Sequence, residues 1–183
     1  MPPTATATPE VLGCDPGLLR GGFGNLYREN VAVRQQLGCP TSAEIAGSAS
    51  EQFFEQGMMY WWGLNNTAYR DTIFILFGRS AGTYAIFPPE EVAAMPEPPP
   101  SDDPTAPKNG FGRIYYNRDS VANQLGRWTS AEIELKNERA GVIQFFDRGL
   151  MLYTPDDRPR GEAAIFVLYD DLTFERYIDT FGG

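Results

Sequence analysis

Three consecutive aromatic residues, Tyr60-Trp61-Trp62, are the side chains of this chain best suited to meeting a ligand. Successive residues of a strand point to opposite faces, so the three cannot share one core. With Trp61 turned inward, Tyr60 and Trp62 point out. An exposed indole offers a flat apolar face for the CH face of a sugar and a polar edge for water. Trp128, in a turn, and Tyr153, at the end of an apolar segment, complete the candidate ligand-binding set. The competing reading packs these rings between two units or into two small cores.

Paired carboxylates are the other chemistry on offer: Glu90-Glu91, Asp102-Asp103, Asp156-Asp157 and Asp170-Asp171. Glycoside hydrolysis needs two carboxyl groups facing one cleft, whereas adjacent strand residues face opposite ways. The first two pairs fall in a proline-rich stretch, and Asp170-Asp171 reads as a hairpin turn. No Asp-x-Asp-x-Asp-Gly loop supports calcium. The chain has no histidine, which removes Ser-His-Asp and Cys-His nucleophiles, His general bases and His-containing metal sites. The expectation is therefore a non-catalytic protein without a metal or cofactor. Gly-Phe-Gly, at 22–24 and 110–112, lacks the Lys-Ser/Thr of a phosphate loop.

The elements that must position these residues occur twice. Residues 23–45 match residues 111–133 at a constant offset of 88, with 12 of 23 positions identical. After a four-residue length difference the match resumes at an offset of 92, so that Gln52-Phe53-Phe54 meets Gln144-Phe145-Phe146 and Ile73–Phe77 meets Ile165–Tyr169. Between the copies, residues 88–107 hold eight prolines, five acidic residues and no basic one. The net charge of -9 divides into -2 for residues 1–87, -5 for this connector and -2 for residues 108–183. The organisation expected is a Pro/Thr-rich tether over 1–17, a first repeat unit over 18–87, a semi-rigid acidic linker over 88–107 and a second unit over 108–183. An acidic chain lacks the basic stripe that nucleic acid or anionic lipid requires. No run approaches the roughly 20 apolar residues of a membrane helix.

Each unit reads as a short aromatic strand (Gly22–Tyr27 or Gly110–Tyr115), then a two-turn helix. Asn30 caps the first helix and Gly38 stops it; Asp119 or Ser120 caps the second and Gly126 stops it. Thr41-Ser42-Ala43-Glu44 and Thr129-Ser130-Ala131-Glu132 form either a capping box or a turn into a strand. Glu44 and Glu132 then either touch a ligand in both copies or are tied into the fold by a backbone amide or an arginine. Two hairpins follow in each unit, built from β-branched and aromatic runs too short for helices. The fold class expected is α+β, predominantly β: two homologous small sheet units, each with one short helix, joined by the linker.

Cys14 and Cys39 contain no Cys-x-x-Cys and are too few for a four-thiolate zinc site. In an exported protein they would form a bridge pinning the N-terminal segment to the first unit; otherwise they are two buried thiols. The segment before them reads as a tether between a targeting or anchoring sequence and a folded domain. Asn65-Asn66-Thr67 is a formal glycosylation triplet.

Leu37-Gly38-Cys39-Pro40-Thr41-Ser42-Ala43-Glu44, followed by Phe54-Glu55-Gln56-Gly57-Met58-Met59-Tyr60-Trp61, resembles the LGFP repeat of bacterial cell-wall-associated proteins. The second copy keeps Leu125-Gly126, Thr129, Glu132, Phe146, Gly149, Met151 and Tyr153 but has Trp128 in place of the proline. The units are longer than that repeat and carry an added hairpin. The resemblance implies an exported, extracellular or cell-surface module holding its host protein on envelope polysaccharide, with no catalytic residues. The expected partner is thus a polysaccharide of the envelope or matrix. The alternative is a structural subunit whose partners are copies of itself in a surface layer or filament, joined through an exposed strand edge.

Overall fold

A computed structural model describes residues 13–63, 68–157 and 161–180, with the side chains of 156 and 157 outside the description. The glycosylation triplet and most of the tether lie outside the described residues. The chain is predominantly β with a few short helices. The strands are β1 (Ile45–Gly47), β2 (Ala49–Phe54), β3 (Gly57–Trp62), β4 (Thr72–Phe77), β5 (Ala81–Phe87), β6 (Ile133–Leu135), β7 (Gly141–Phe146), β8 (Gly149–Asp157), β9 (Glu162–Tyr169) and β10 (Thr173–Ile178). The helices are α1 (Gly21–Glu29), α2 (Val31–Leu37), α3 (Pro89–Ala93), α4 (Asn109–Asn117) and α5 (Asp119–Leu125).

All ten strands enter one antiparallel sheet in the order β1-β7-β8-β9-β10-β5-β4-β3-β2-β6. Both anticipated hairpins of each repeat form, but the repeats do not build separate sheets. Strand β10 pairs with β5, centred on Phe174 opposite Gly82. At the far side β1 pairs with β7 through Ile45↔Ile143, and β6 pairs with β2 through Ile133↔Glu51. These two pairings are the same contact written twice, because the repeat offsets carry 45 to 133 and 51 to 143. Only Ser48 separates β1 from β2, so the two ends of the sheet are held side by side by the chain itself. The sheet is a nearly closed barrel.

Alternation along each strand then sends one set of side chains into the barrel and the other outward to the helices. The interior holds Phe53, Met58, Tyr60, Trp62, Phe74, Leu76, Leu150, Leu152, Phe166, Leu168 and Phe174. The helices exchange partners. Phe23, Tyr27, Val33 and Leu37 of the first repeat pack on Phe146, Met151, Ile165 and Val167 of the second. Phe111, Ile114, Val121 and Leu125 of the second pack on Phe54, Met59, Ile73 and Ile75 of the first. Hydrogen bonds repeat the exchange: the Ser42 hydroxyl accepts from the Phe145 amide at 3.1 Å, and the Ser130 hydroxyl from the Phe53 amide at 3.0 Å. Gln144 Nε2 donates to the Leu18 and Ser42 carbonyls, and Gln52 Nε2 to those of Thr105 and Ser130. The Thr-Ser-Ala-Glu segments are thus turns into β1 and β6 whose serines clamp the opposite repeat.

Three expectations are corrected. Gly22–Tyr27 and Gly110–Tyr115 are not strands but lie in α1 and α4. Their apolar residues recur at helical spacing, Phe23/Tyr27 and Phe111/Ile114, which places them on one face. Gly24 and Gly112 are glycines for contact, since a Cβ would sit 2.6 Å from the Leu19 carbonyl carbon or the Pro107 oxygen. Each repeat consequently opens with two helices rather than one. Second, Arg118, without a side-chain cap, occupies the N-cap of α5; Asp119 lies in its first turn. The Asn30 cap of α2 and the positive-φ stops at Gly38 and Gly126 form as expected.

Third, the acidic linker is a docked segment rather than an extended spacer. Its start folds as α3, and Val92 and Met95 are buried against α4. Arg113 donates to the carbonyls of Ala93 and Met95 and pairs with Glu97. Asp103 accepts from Thr105 and from the Trp128 indole. Eight prolines limit the freedom of the unfolded linker, so a few such contacts suffice to dock it.

Cys14 and Cys39 form a disulfide closing a sequence separation of 25 residues and tying the N-terminal segment to the end of α2. Loop closure of that length is worth about 3 kcal/mol. Reduction, or Cys14→Ser with Cys39→Ser, is expected to lower the melting temperature by roughly 6–12 °C for a chain of this size. Scanning calorimetry with and without reductant checks this.

Candidate functional site

Two grooves open on the outside of the barrel at equivalent places. The larger, about 580 Å³, is lined by Ser50, Trp61, Asp71, Ile73, Asn109, Gly110, Phe111, Arg113 and Glu132, with a wall from Pro89, Val92, Ala93 and Glu97 of the linker. The smaller, about 250 Å³, is lined by Gly21, Gly22, Phe23, Glu44, Val142, Tyr153, Ile165 and Asp179. Seven positions correspond under the repeat offsets: Asn109 with Gly21, Gly110 with Gly22, Phe111 with Phe23, Glu132 with Glu44, Ser50 with Val142, Trp61 with Tyr153, and Ile73 with Ile165. Each groove therefore lies between the start of a helix from one repeat and an aromatic strand residue of the other. The linker gives the larger groove a wall that the smaller one lacks.

The candidate aromatics divide by strand parity. Tyr60 and Trp62 face the barrel interior and are fully buried, opposite to the outward placement expected for them. The reason is topological: the barrel interior takes the even-numbered residues of β3, and the odd-numbered ones meet the exchanged helices. Tyr60 donates to the Tyr153 carbonyl at 3.3 Å, and burial together with Glu51 raises its hydroxyl well above the ordinary tyrosine range. Trp61 is half-buried in the larger groove, its ring lying back over Gly63, where a Cβ would come within 2.1 Å of the indole. Tyr153 is half-buried in the smaller groove. Trp128 is half-buried and committed elsewhere: its N–H donates to Asp103 at 3.1 Å and its ring meets Tyr115 edge-on at 5.5 Å. It anchors the linker.

Of five aromatics, then, the structure brings Trp61 and Tyr153 to equivalent sites and removes Tyr60 and Trp62 from the surface. The groove carboxylates were legible as a repeated Glu, though not as neighbours of an aromatic. Burial raises the Glu132 carboxyl above its ordinary value, opposed by hydrogen bonds from Ser50 and Asn109. Burial and the nearby Asp179 charge raise Glu44, opposed by Arg20. Asp179 and the linker wall gave no sequence signal, because neither belongs to the shared part of the repeat.

A raised carboxyl means that the folded state binds more protons than the unfolded chain between the two pKa values. This part of the stability is fully present below the unfolded value and is lost as pH rises through the folded one. Urea midpoints from about pH 4 to about pH 7 should therefore fall less steeply with pH in Glu132→Gln than in the parent. An unchanged slope would show that Glu132 titrates as a solvated carboxylate.

Asp170-Asp171 forms the β9–β10 turn, and Asp171 accepts from the backbone and hydroxyl of Thr173, as a turn residue does. Among the described residues no group of three or more His, Cys, Asp or Glu side chains is arranged to hold a metal ion, and no helix is long and apolar enough to cross a membrane. The geometry defines a small β-barrel protein with twin aromatic–carboxylate grooves. The chain matches no family model, no curated protein sequence and no solved structure.

Proposed function

We propose that this protein is a non-catalytic, exported module that binds envelope or extracellular polysaccharide through Trp61 and Tyr153. The observation that carries this reading is the recurrence, at equivalent positions of the repeats, of an aromatic ring beside a glutamate in an open groove. The ring stacks on the CH face of a sugar, and the carboxylate accepts from its hydroxyls. Two grooves fixed on one barrel turn a weak contact into useful retention on a repetitive polymer, provided both reach it. The disulfide supports an oxidising location outside the cytosol. The likeness of Leu37–Glu44 and Phe54–Trp61 to the LGFP repeat supports a cell-surface setting, and we infer that the two repeats are copies of one ancestral unit.

The alternative, assembly with copies of itself through a strand edge, has less physical support, since the two ends of the sheet lie side by side. Co-sedimentation with insoluble envelope polysaccharide at physiological salt tests the proposal. Trp61→Ala should reduce retention by about tenfold, the loss of one stacking contact worth roughly 1.4 kcal/mol. Tyr153→Ala should add a further loss. No retention of the parent protein across a broad polysaccharide set would refute the proposal, and concentration-dependent assembly without glycan would favour the alternative.

A further inference from the structure

Side chains on a sheet lean along their strand, and for Trp61 one direction is open. Its partners across the sheet are Ser50 on β2 and Ile73 on β4, which line the larger groove with it. Its neighbours on the same face of the chain are Met59 and, just past the end of β3, Gly63. Met59 is fully buried in the cluster that α4 and α5 cover, so the indole lies toward Gly63. A Cβ on Gly63 would stand 2.1 Å from Cη2 of the indole and 2.6 Å from both Cζ2 and Cζ3. So short a distance to both neighbours of Cη2 places that point over the face of the ring rather than in its plane. The outer end of the indole therefore rests flat on the Gly63 backbone. In the second repeat the equivalent residues are Tyr153 and Pro155. The larger ring and the glycine thus occur together in one repeat and are replaced together in the other.

From this we infer that Gly63 is a positioning residue of the larger groove: having no side chain, it seats the Trp61 ring with one face on the backbone and the other turned away from the strand, toward a ligand. The inference rests on the polysaccharide reading for its effect on binding, and on the ring contact alone for its effect on Trp61. A stacking platform works best when its plane is set before the sugar arrives, because ordering a side chain on binding costs entropy. Alanine at 63 would fill the seat. The ring then has to move rather than the chain, since β3 is paired on both sides and the Gly63 amide donates to the Ser48 carbonyl at 3.0 Å. The φ of Gly63 lies outside the left-handed range, so alanine itself is unstrained there.

The test compares Gly63→Ala, Trp61→Ala and the double variant, each as the full chain. The urea midpoint of Gly63→Ala should equal or slightly exceed that of the parent, because alanine narrows the unfolded ensemble. Its near-ultraviolet circular dichroism should change, and the same substitution made in Trp61→Ala should leave that spectrum unaltered. Retention on insoluble envelope polysaccharide should fall by at least about threefold, out of the roughly tenfold lost with the ring itself. The double variant should be retained no less than Trp61→Ala, since both substitutions act through one ring. An unchanged spectrum, or full retention of Gly63→Ala where the parent binds, overturns the positioning role. A further loss in the double variant overturns it as well, by showing that Gly63 acts other than through Trp61. A lowered urea midpoint that persists in the double variant would assign the glycine to folding instead. Should no polysaccharide retain the parent, the polysaccharide reading fails, and the spectral comparison alone then decides whether Gly63 seats the ring.

Discussion

Trp62→Ala is expected to cost about 3–5 kcal/mol of stability, while Trp61→Ala, one residue away, should leave folding close to intact and reduce glycan retention. Trp62 is fully buried in the barrel interior, where truncation of a large ring leaves a cavity that a closed sheet cannot collapse around. Trp61 is half-buried on the outer face, and its loss enlarges a groove already open to solvent. Urea unfolding of the two variants, with retention measured on each folded protein, reads both effects. For Trp62→Ala the melting temperature should drop by roughly 6–20 °C. A Trp62 variant as stable as the parent would mean that the ring does not occupy the barrel interior. A Trp61 variant that unfolds instead would reverse the parity assigned to β3.

Gly24→Ala and Gly112→Ala should each destabilise the protein, by about 1–3 kcal/mol, and their effects should add. The sign is the informative part. Inside an ordinary solvent-exposed helix, replacing glycine by alanine stabilises by about 1 kcal/mol through backbone entropy. Here both glycines lie in helices, and the added Cβ would come 2.6 Å from backbone atoms of Leu19 or Pro107. Backbone cannot rotate away as a side-chain tip can, so the helix must shift and its buried Phe23 or Phe111 with it. Phe111 also lines the larger groove, so Gly112→Ala should weaken glycan retention as well as stability. Additivity is expected because the glycines adjoin Phe23 and Phe111, which belong to separate clusters. Chemical denaturation of the single and double variants measures it. Stabilisation by either substitution would show that the chain crossing is looser than described.

The two predictions mark where local information stops. Gly-Phe-Gly followed by Leu26-Tyr27 carries two glycines that argue against a helix and an apolar spacing that argues for one. Taken locally, the aromatic run reads as a short strand. What decides for the helix is the packing of Phe23 and Tyr27 on Phe146, Met151, Ile165 and Val167 of the other repeat, a contact no window around residue 24 contains. In the same way the alternation of Tyr60, Trp61 and Trp62 establishes that neighbours face opposite sides, yet both sides of β3 are apolar. Which side is the barrel interior depends on the exchanged helices α4 and α5, more than forty residues further along the chain.

The sequence by itself determined the internal repeat, the predominance of β-structure, the hairpins and the α2 cap at Asn30, and it left the Cys14–Cys39 bridge open against two buried thiols. The determined features are local or are set by internal comparison, and each follows from spacing or turn chemistry. Only the tertiary structure decided that the repeats share one sheet, that each clamps the other through Ser42 and Ser130, and that the linker is docked. Short strands such as β1 and β6 bury too little surface to choose a partner on their own. Their pairing is selected by the near-closure of the barrel, which brings β1 onto β7 and β6 onto β2 at the same time. The grooves owe their aromatic–carboxylate pairs to that same closure, because each brings a helix start and a glutamate of one repeat against a strand of the other.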